Sequence, residues 1–299
     1  MLCDAHLHFF SPGFFDGLGT QMGLGADGRV ETVVARAEWQ HPESVDALAA
    51  RWGAELDKHH VARAALIASI PGDEISVAAA VARDPSRFVG FFMLNPAAPD
   101  ATERAVKALD AGLRTICLFP AMHRYSLHDA AVGKVFEVAA GHSANPAVFV
   151  HCGVLSVGVR RKLGLPSPFE IRFGNPLDVQ ALAFKYPSVP IIIPHFGAGF
   201  FREALMTAAN CSNVYLDTSS SNGWIMMTPG LTLQQVFRTA IDTLGADRLL
   251  FGTDSSFFPR GWNKAVFETQ QKALGDALVP PDARAKIMGG NFQRLFPVK

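Results

Sequence analysis

Short apolar, β-branched runs alternate with longer amphipathic stretches along nearly the whole chain. The runs cover residues 2–6, 64–68, 88–94, 115–119, 147–151, 190–195, 214–217 and 249–252. Each is four to seven residues long, the habit of parallel strands buried on both faces. Helical patterns follow at 44–59, 73–83, 101–111, 128–140, 177–186, 199–210, 233–244 and 264–274. In the first of these, Val45, Leu48, Ala49, Trp52 and Leu56 recur every three or four residues and form one apolar face. Asp100 is placed to cap the helix over 101–111, with Glu103 as its capping-box partner and Gly112 as its stop.

Eight strands in strict alternation with eight helices predict an α/β protein with a parallel sheet, and eight units close a (β/α)8 TIM barrel. A doubly wound open sheet would also alternate, but its G-x-G-x-x-G turn is missing. No repeat, low-complexity tract or linker divides the chain, so one domain over 1–299 is expected. Two connections, 9–42 and 153–176, are long. Both leave predicted C-terminal strand ends, the face on which barrel enzymes build their sites.

Composition narrows the class. Apolar residues make up 49% and charged residues 18%, which excludes wholesale disorder. Lys+Arg and Asp+Glu number 27 each, so net charge offers no case for nucleic acid or a membrane surface as partner. The first residues, MLCDAHLHFF, lack the basic region of a signal peptide, and no apolar run approaches a membrane span. Four widely spaced cysteines, Cys3, Cys117, Cys152 and Cys211, read as reduced buried thiols, and a cytoplasmic location is expected.

The positions of histidines and acids carry the chemistry. His6 and His8 form an H-x-H at the end of the first run, where residues two apart share a face. His151 and His195 end the fifth and sixth runs, Asp217 ends the seventh, and Asp254 lies just beyond the eighth. A lone strand-end histidine is usually structural. Their concentration on one rim is hard to explain that way, and nitrogen with carboxylate ligands suits a catalytic divalent ion such as zinc.

The sequence resembles the amidohydrolase superfamily, in its amidohydrolase-2 branch of decarboxylases and lactone hydrolases. The matching pieces are D-A-H-L-H at 4–8, V-H-C-G at 150–153, P-H-F-G at 194–197, F-G-T-D at 251–254 and G-N-F-Q-R-L-F at 290–296. The resemblance implies a distorted (β/α)8 barrel, with His6, His8, His151 and Asp254 as metal ligands and His195 as a catalytic histidine. Members with two metals carry a carboxylated lysine on the fourth strand, where this chain has Cys117. One divalent ion, zinc or manganese, is therefore expected, and no organic cofactor.

These features predict a metal-dependent hydrolase of a small carboxylate-bearing ester, lactone or amide, with Asp254 as general base to a metal-activated water. Non-oxidative decarboxylation of an acidic unsaturated or aromatic substrate uses the same ligands and is the first alternative. A catalytically silent metal-binding barrel is the second. Arg160, Arg161 and Arg172 are candidates for a carboxylate fork, against the alternative of a solvated loop. His123, Asp217, Trp224 and Trp262 are further candidates for the substrate pocket, Asp217 with the alternatives of orienting a ligand histidine or capping the following helix. Phe9, Phe10, Phe14 and Phe15 could form a lid, and an exposed Phe-rich face would favour a homodimer.

Overall fold

Alternate residues of each strand are apolar on both sides because each strand is sandwiched between two apolar layers. Ile67, Phe91, Cys117, Phe149 and Ile192 fill the inside of a barrel, while Leu66, Phe92, Ile116, Val148 and Ile191 pack outward against helices. The computed structural model describes residues 1–298. Its strands are β1 (Leu2–His8), β2 (Val61–Ala68), β3 (Phe88–Leu94), β4 (Thr115–Leu118), β5 (Ala147–Val150), β6 (Ile191–Ile193), β7 (Val214–Asp217) and β8 (Leu249–Leu250). They form one parallel sheet in sequence order, β1 to β8, with helices between them: a single-domain TIM barrel.

The seam between β8 and β1 closes by a different device. β8 is only two residues long, but the chain beyond it runs on beside β1. Ala5 N–H donates to the Phe251 carbonyl at 2.8 Å, Asp254 N–H to that of His6 at 2.9 Å, and His8 N–H to that of Ser255 at 2.7 Å. The buried Asp4 carboxylate reinforces this seam. It accepts from the Thr253 hydroxyl at 2.5 Å, the Thr253 N–H at 3.1 Å and the Trp262 indole N–H at 2.7 Å. Burial pushes the Asp4 carboxyl up to about 6, although every one of these donors favours its charged form.

The long connections are not irregular. Residues 9–42 hold helices Pro12–Gln21 and Arg29–Ala37, and residues 153–176 hold the short helix Gly158–Lys162. The two segments pack on each other through Phe14, Phe15, Val33, Val34, Val159 and Leu163. Lys162 to Glu38 (2.6 Å) and Arg160 to Gln21 (2.5 Å) tie their polar edges.

Helix ends follow local chemistry, with one correction. Ser44 caps the helix Val45–Lys58 by accepting from Ala47 N–H, and Gly112, at φ +94°, follows the end of the helix Ala101–Asp110. The expected Asp100–Glu103 capping box is not formed. Asp100 has ψ near 8° instead of an extended value, which turns its carboxylate from the third N–H, and Glu103 pairs with Lys107 at 2.6 Å. Such a box closes instead at Thr232 and Gln235. All four cysteines are free and buried. Among the described residues, no helix is long and apolar enough to cross a membrane.

The Asp4 clasp leads to a direct expectation. Asp4→Ala strips buried donors on Thr253 and Trp262 of their acceptor and should cost about 3 kcal/mol. Chemical denaturation with monitored Trp fluorescence measures that loss, and an unchanged midpoint would contradict the role of the clasp.

Candidate metal centre

The two histidines of β1 reach the barrel interior through an irregularity. Pairing with β2 slips by one residue between Asp4 and Leu7, so side-chain alternation resets within the strand. Asp4 therefore points to Thr253 and Trp262, whereas His6 turns inward and meets the Phe149 ring edge-on at 5.3 Å. His8 lies on the same side, its ring centroid 5.2 Å from that of His6. Asp254 reaches them from the seam. Its Oδ1 lies 3.1 Å from His8 Nε2 and 3.7 Å from His6 Nε2. The three side chains offer ligand atoms all within 4.8 Å of one another. Gly252 permits this approach, because a Cβ there would come within 2.9 Å of the Cβ atoms of both His6 and Ser219.

The opposite edges of both rings are anchored. His6 Nδ1 donates to Asp217 Oδ2 at 2.6 Å, and His8 Nδ1 donates to Ser69 Oγ at 2.6 Å. Ser69 spends its own proton on the Ile67 carbonyl at 3.0 Å, so it must accept from the ring. These partners put the proton of each imidazole on Nδ1 and leave Nε2 free on the side of Asp254. Burial alone would raise the Asp217 carboxyl, but the His6 imidazole outweighs it and holds the group below its usual range. Burial likewise opposes charge on His6, and Asp217 reverses that to raise its pKa. For Asp254, too, burial raises the pKa, and the hydrogen bond and charges of the histidines more than offset it.

His195 and His151 complete the ring of imidazoles. The His195 centroid lies 4.9 Å from that of His6 and 5.3 Å from that of His151. Ser219 Oγ bridges His6 Nδ1 (3.0 Å) and His195 Nδ1 (2.9 Å). His195 opens a run of five consecutive residues with positive φ, through Gly199, and Asp254 has φ +58°. Backbone strain of that kind gathers at functional sites. Burial, then the neighbouring His195 and His6, holds His151 well below the usual imidazole range. Burial also lowers His8 and His195. His151 Nδ1 is buried with no hydrogen-bond partner among the described residues. Imidazoles of His8, His151 and His195 whose charging burial disfavours, one orphaned ring nitrogen and an ionised carboxylate fit a divalent cation.

An open cavity of about 590 Å³ covers His6, His8, His151, His195 and Asp254. Of the residues expected to hold substrate, it brings in only Trp224. Arg160 donates to the Pro166 carbonyl and to Gln21, and Arg172 pairs with Glu170 at 2.8 Å. Arg161 is exposed on the same short helix as Arg160, whose apolar Val159 packs against the 9–42 segment and turns the basic side chains outward. His123 stacks beside Tyr125 outside the cavity, and burial pushes its imidazole down to about 4. Asp217 stands behind His6, and Trp262 stands behind β1 against Asp4. Of the four expected lid residues, Phe10 and Phe14 wall the cavity, while Phe9 and Phe15 are core. Ser69, Ser219 and Arg260 were missed. Ser69 directly follows β2 and Ser219 follows β7 by two, so strand-end position was their available signal.

A barrel with this cluster at its C-terminal strand ends has the form of a barrel enzyme, with three residues placed so that they could hold a metal ion. The family model for amidohydrolase matches residues 3–298, and the chain belongs to that family. Among curated proteins it is similar to Protein fluG of Emericella nidulans, 28% identical over 133 residues. That match spans 41% of this chain and 15% of the fluG protein's length. Solved structures that share the fold include the following three. One is 5-carboxyvanillate decarboxylase of Novosphingobium aromaticivorans complexed with manganese and 4-hydroxy-3-methoxy-5-nitrobenzoic acid (TM-score 0.65, 16% identity, 99% of this chain and 96% of that one). Another, from Acinetobacter baumannii with citric acid bound, is described as a 2-pyrone-4,6-dicarboxylic acid hydrolase (0.62, 14%, 99% and 98%). The third is an amidohydrolase of Burkholderia multivorans with bound zinc (0.59, 17%, 100% of both).

If Asp217 sets the His6 ring, Asp217→Asn should lower divalent-metal affinity roughly 10- to 100-fold with little change in fold. Competition with a metal indicator dye reads this directly, and undiminished affinity would remove Asp217 from that role.

Proposed function

We propose that this protein is a mononuclear metal-dependent hydrolase of a small carboxylate-bearing ester, lactone or amide. His6 and His8 through Nε2, Asp254 and His151 would hold one divalent ion, zinc or manganese. Cys117 supports a single ion, because its buried thiol, pushed well above its usual range, stands on β4 where a bridging lysine would be needed. When bound, the ion supplies a Lewis acid that polarises a substrate carbonyl or acidifies water.

The observation that carries the hydrolytic reading is the Asp254 carboxylate. It is held ionised against His8, yet its side chain stays 33% exposed toward an open cavity. There it can take a proton from water and return it to a leaving group. His195, neutral and oriented by Ser219, faces the same space and can donate to a developing oxyanion. Ser219 and Asp217 hold the rings so that little reorganisation accompanies proton transfer.

Decarboxylation is the second reading, favoured by the aromatic wall of the cavity, which includes Trp39, Phe119 and Phe257. Such a wall suits an aromatic or unsaturated acid, and a proton delivered by His195 to the substrate carbon would accompany breakage of its bond to the carboxylate, which leaves as carbon dioxide.

Elemental analysis of protein purified without added metal should find about one equivalent of zinc or manganese. Asp254→Asn should fold and lose turnover by roughly 100- to 10,000-fold. Near-wild-type turnover in that variant would overturn its assignment. A screen of lactones, esters and aromatic acids, reading carbon dioxide release separately from ring or ester opening, decides the reaction. Hydrolysis predicts opening without gas. Metal-loaded protein inert on every substrate would leave the silent barrel.

A further inference from the structure

A second cavity, of about 340 Å³, lies at the opposite face of the barrel, below the N-terminal strand ends. Arg63, the third residue of β2, and Arg114, immediately before β4, both line it. Phe88 and Val89 open β3 between them, since β3 lies between β2 and β4 in the sheet. Val81 and Pro297 extend the apolar wall, and among the described residues no acid lines the cavity.

The two guanidinium groups are held differently, and neither is neutralised. Arg63 is only 6% exposed. Its Nε donates to the Ser86 carbonyl at 3.0 Å and its Nη1 to the Phe296 carbonyl at 2.5 Å, while its central carbon lies 5.6 Å from the Phe292 ring centroid. Both acceptors are uncharged, and Nη2 has no acceptor among the described residues. Arg114 is half-buried and makes no ion pair or side-chain hydrogen bond among the described residues, and its buried Nε is left without a partner. Burial lowers the pKa of both groups, and Arg114 lowers that of Arg63 further, so the two charges stand close enough to repel. Buried arginines are normally paired. Two together, with donors unspent and opening on one acid-free cavity, form a receptor for an anion.

We infer that Arg63 and Arg114 form a binding site for a short aliphatic monocarboxylate on the N-terminal face of the barrel, separate from the metal centre. The carboxylate meets the tip of Arg114 and Nη2 of Arg63, and its chain lies against Val81, Phe88 and Val89. A single carboxylate suits this cavity better than an inorganic phosphate. Ser86, also on the wall, spends its hydroxyl on Asp84 at 2.7 Å, so a phosphate's further oxygens would face apolar side chains. The site does not rest on the proposed hydrolysis, and neither arginine touches a reacting bond.

Calorimetric titration of the purified protein with hexanoate, 1-hexanol and inorganic phosphate tests it. Hexanoate should bind at least about tenfold tighter than hexanol, the margin expected of one charge-assisted pair, and tighter than phosphate. Arg114→Gln should bring hexanoate down to the hexanol level and leave hexanol unchanged. Ala82→Trp, at an exposed position on the cavity wall, should weaken both. Thermal unfolding of each variant checks that the barrel is intact. Arg63 is left in place because it also anchors the Phe296 carbonyl. A carboxylate can also reach a metal ion, so the titrations are repeated after chelation, where the hexanoate binding that depends on Arg114 should persist. Equal affinities for hexanoate and hexanol, discrimination that survives Arg114→Gln, loss of that binding on chelation, tighter binding of phosphate, or no measurable binding overturns the site.

Discussion

The barrel is closed by pairing the first strand of the chain with a segment some 250 residues later, and everything chemical depends on that seam. β8 contributes only Leu249 and Leu250 to the regular sheet. Beyond it the backbone leaves strand geometry but keeps its hydrogen bonds to β1, so the segment carrying Asp254 is aligned with the strand carrying His6 and His8. Closure of the fold and assembly of the candidate centre are thus one event. Asp4 makes the seam specific by burying a carboxylate that is satisfied only when Thr253 and Trp262 are in place.

Around that seam, polar groups are spent on orientation. Asp217, Ser69 and Ser219 each engage the far edge of an imidazole, so the near edges converge without needing a bound group to hold them apart. Left-handed backbone from His195 to Gly199 and at Asp254 is the local cost of aiming these side chains inward. The surrounding apolar layers, with Phe149 and Phe119 beneath the rings, offset it and keep the rings desolvated. Orphaned His151 Nδ1 shows the same economy, a buried nitrogen left open where a ligand role is proposed for its residue.

The rim follows a separate logic. Residues 9–42 and 153–176 fold into helices that bury apolar faces against each other, and this turns the conspicuous basic stretch of the second segment outward. Positive charge enters the cavity from Arg260 instead, through a residue that stands alone in the sequence and is held by stacking on Phe257. A charge cluster in sequence reports composition. Whether it faces a cavity is set by which side of its helix is apolar.

Alternation of buried strands and amphipathic helices was legible because each element reports its own burial period, and that alone determined an eightfold barrel. Histidines and acids at strand ends were legible for the same reason, since the C-terminal edge of a parallel barrel is one place in space. The one-residue slip in β1 was not, because it exists only as a mismatch with β2. Asp217 stands where one of its expected readings put it, behind His6, whereas Trp262 was expected at the pocket and packs behind β1 against Asp4, as a strand-end residue can point to the axis or away from it. The location of the cavity's cation and its aromatic wall were decided by tertiary structure alone. Contacts between segments 200 residues apart leave no period in either segment, and only closing the barrel brings Trp39 against Phe257.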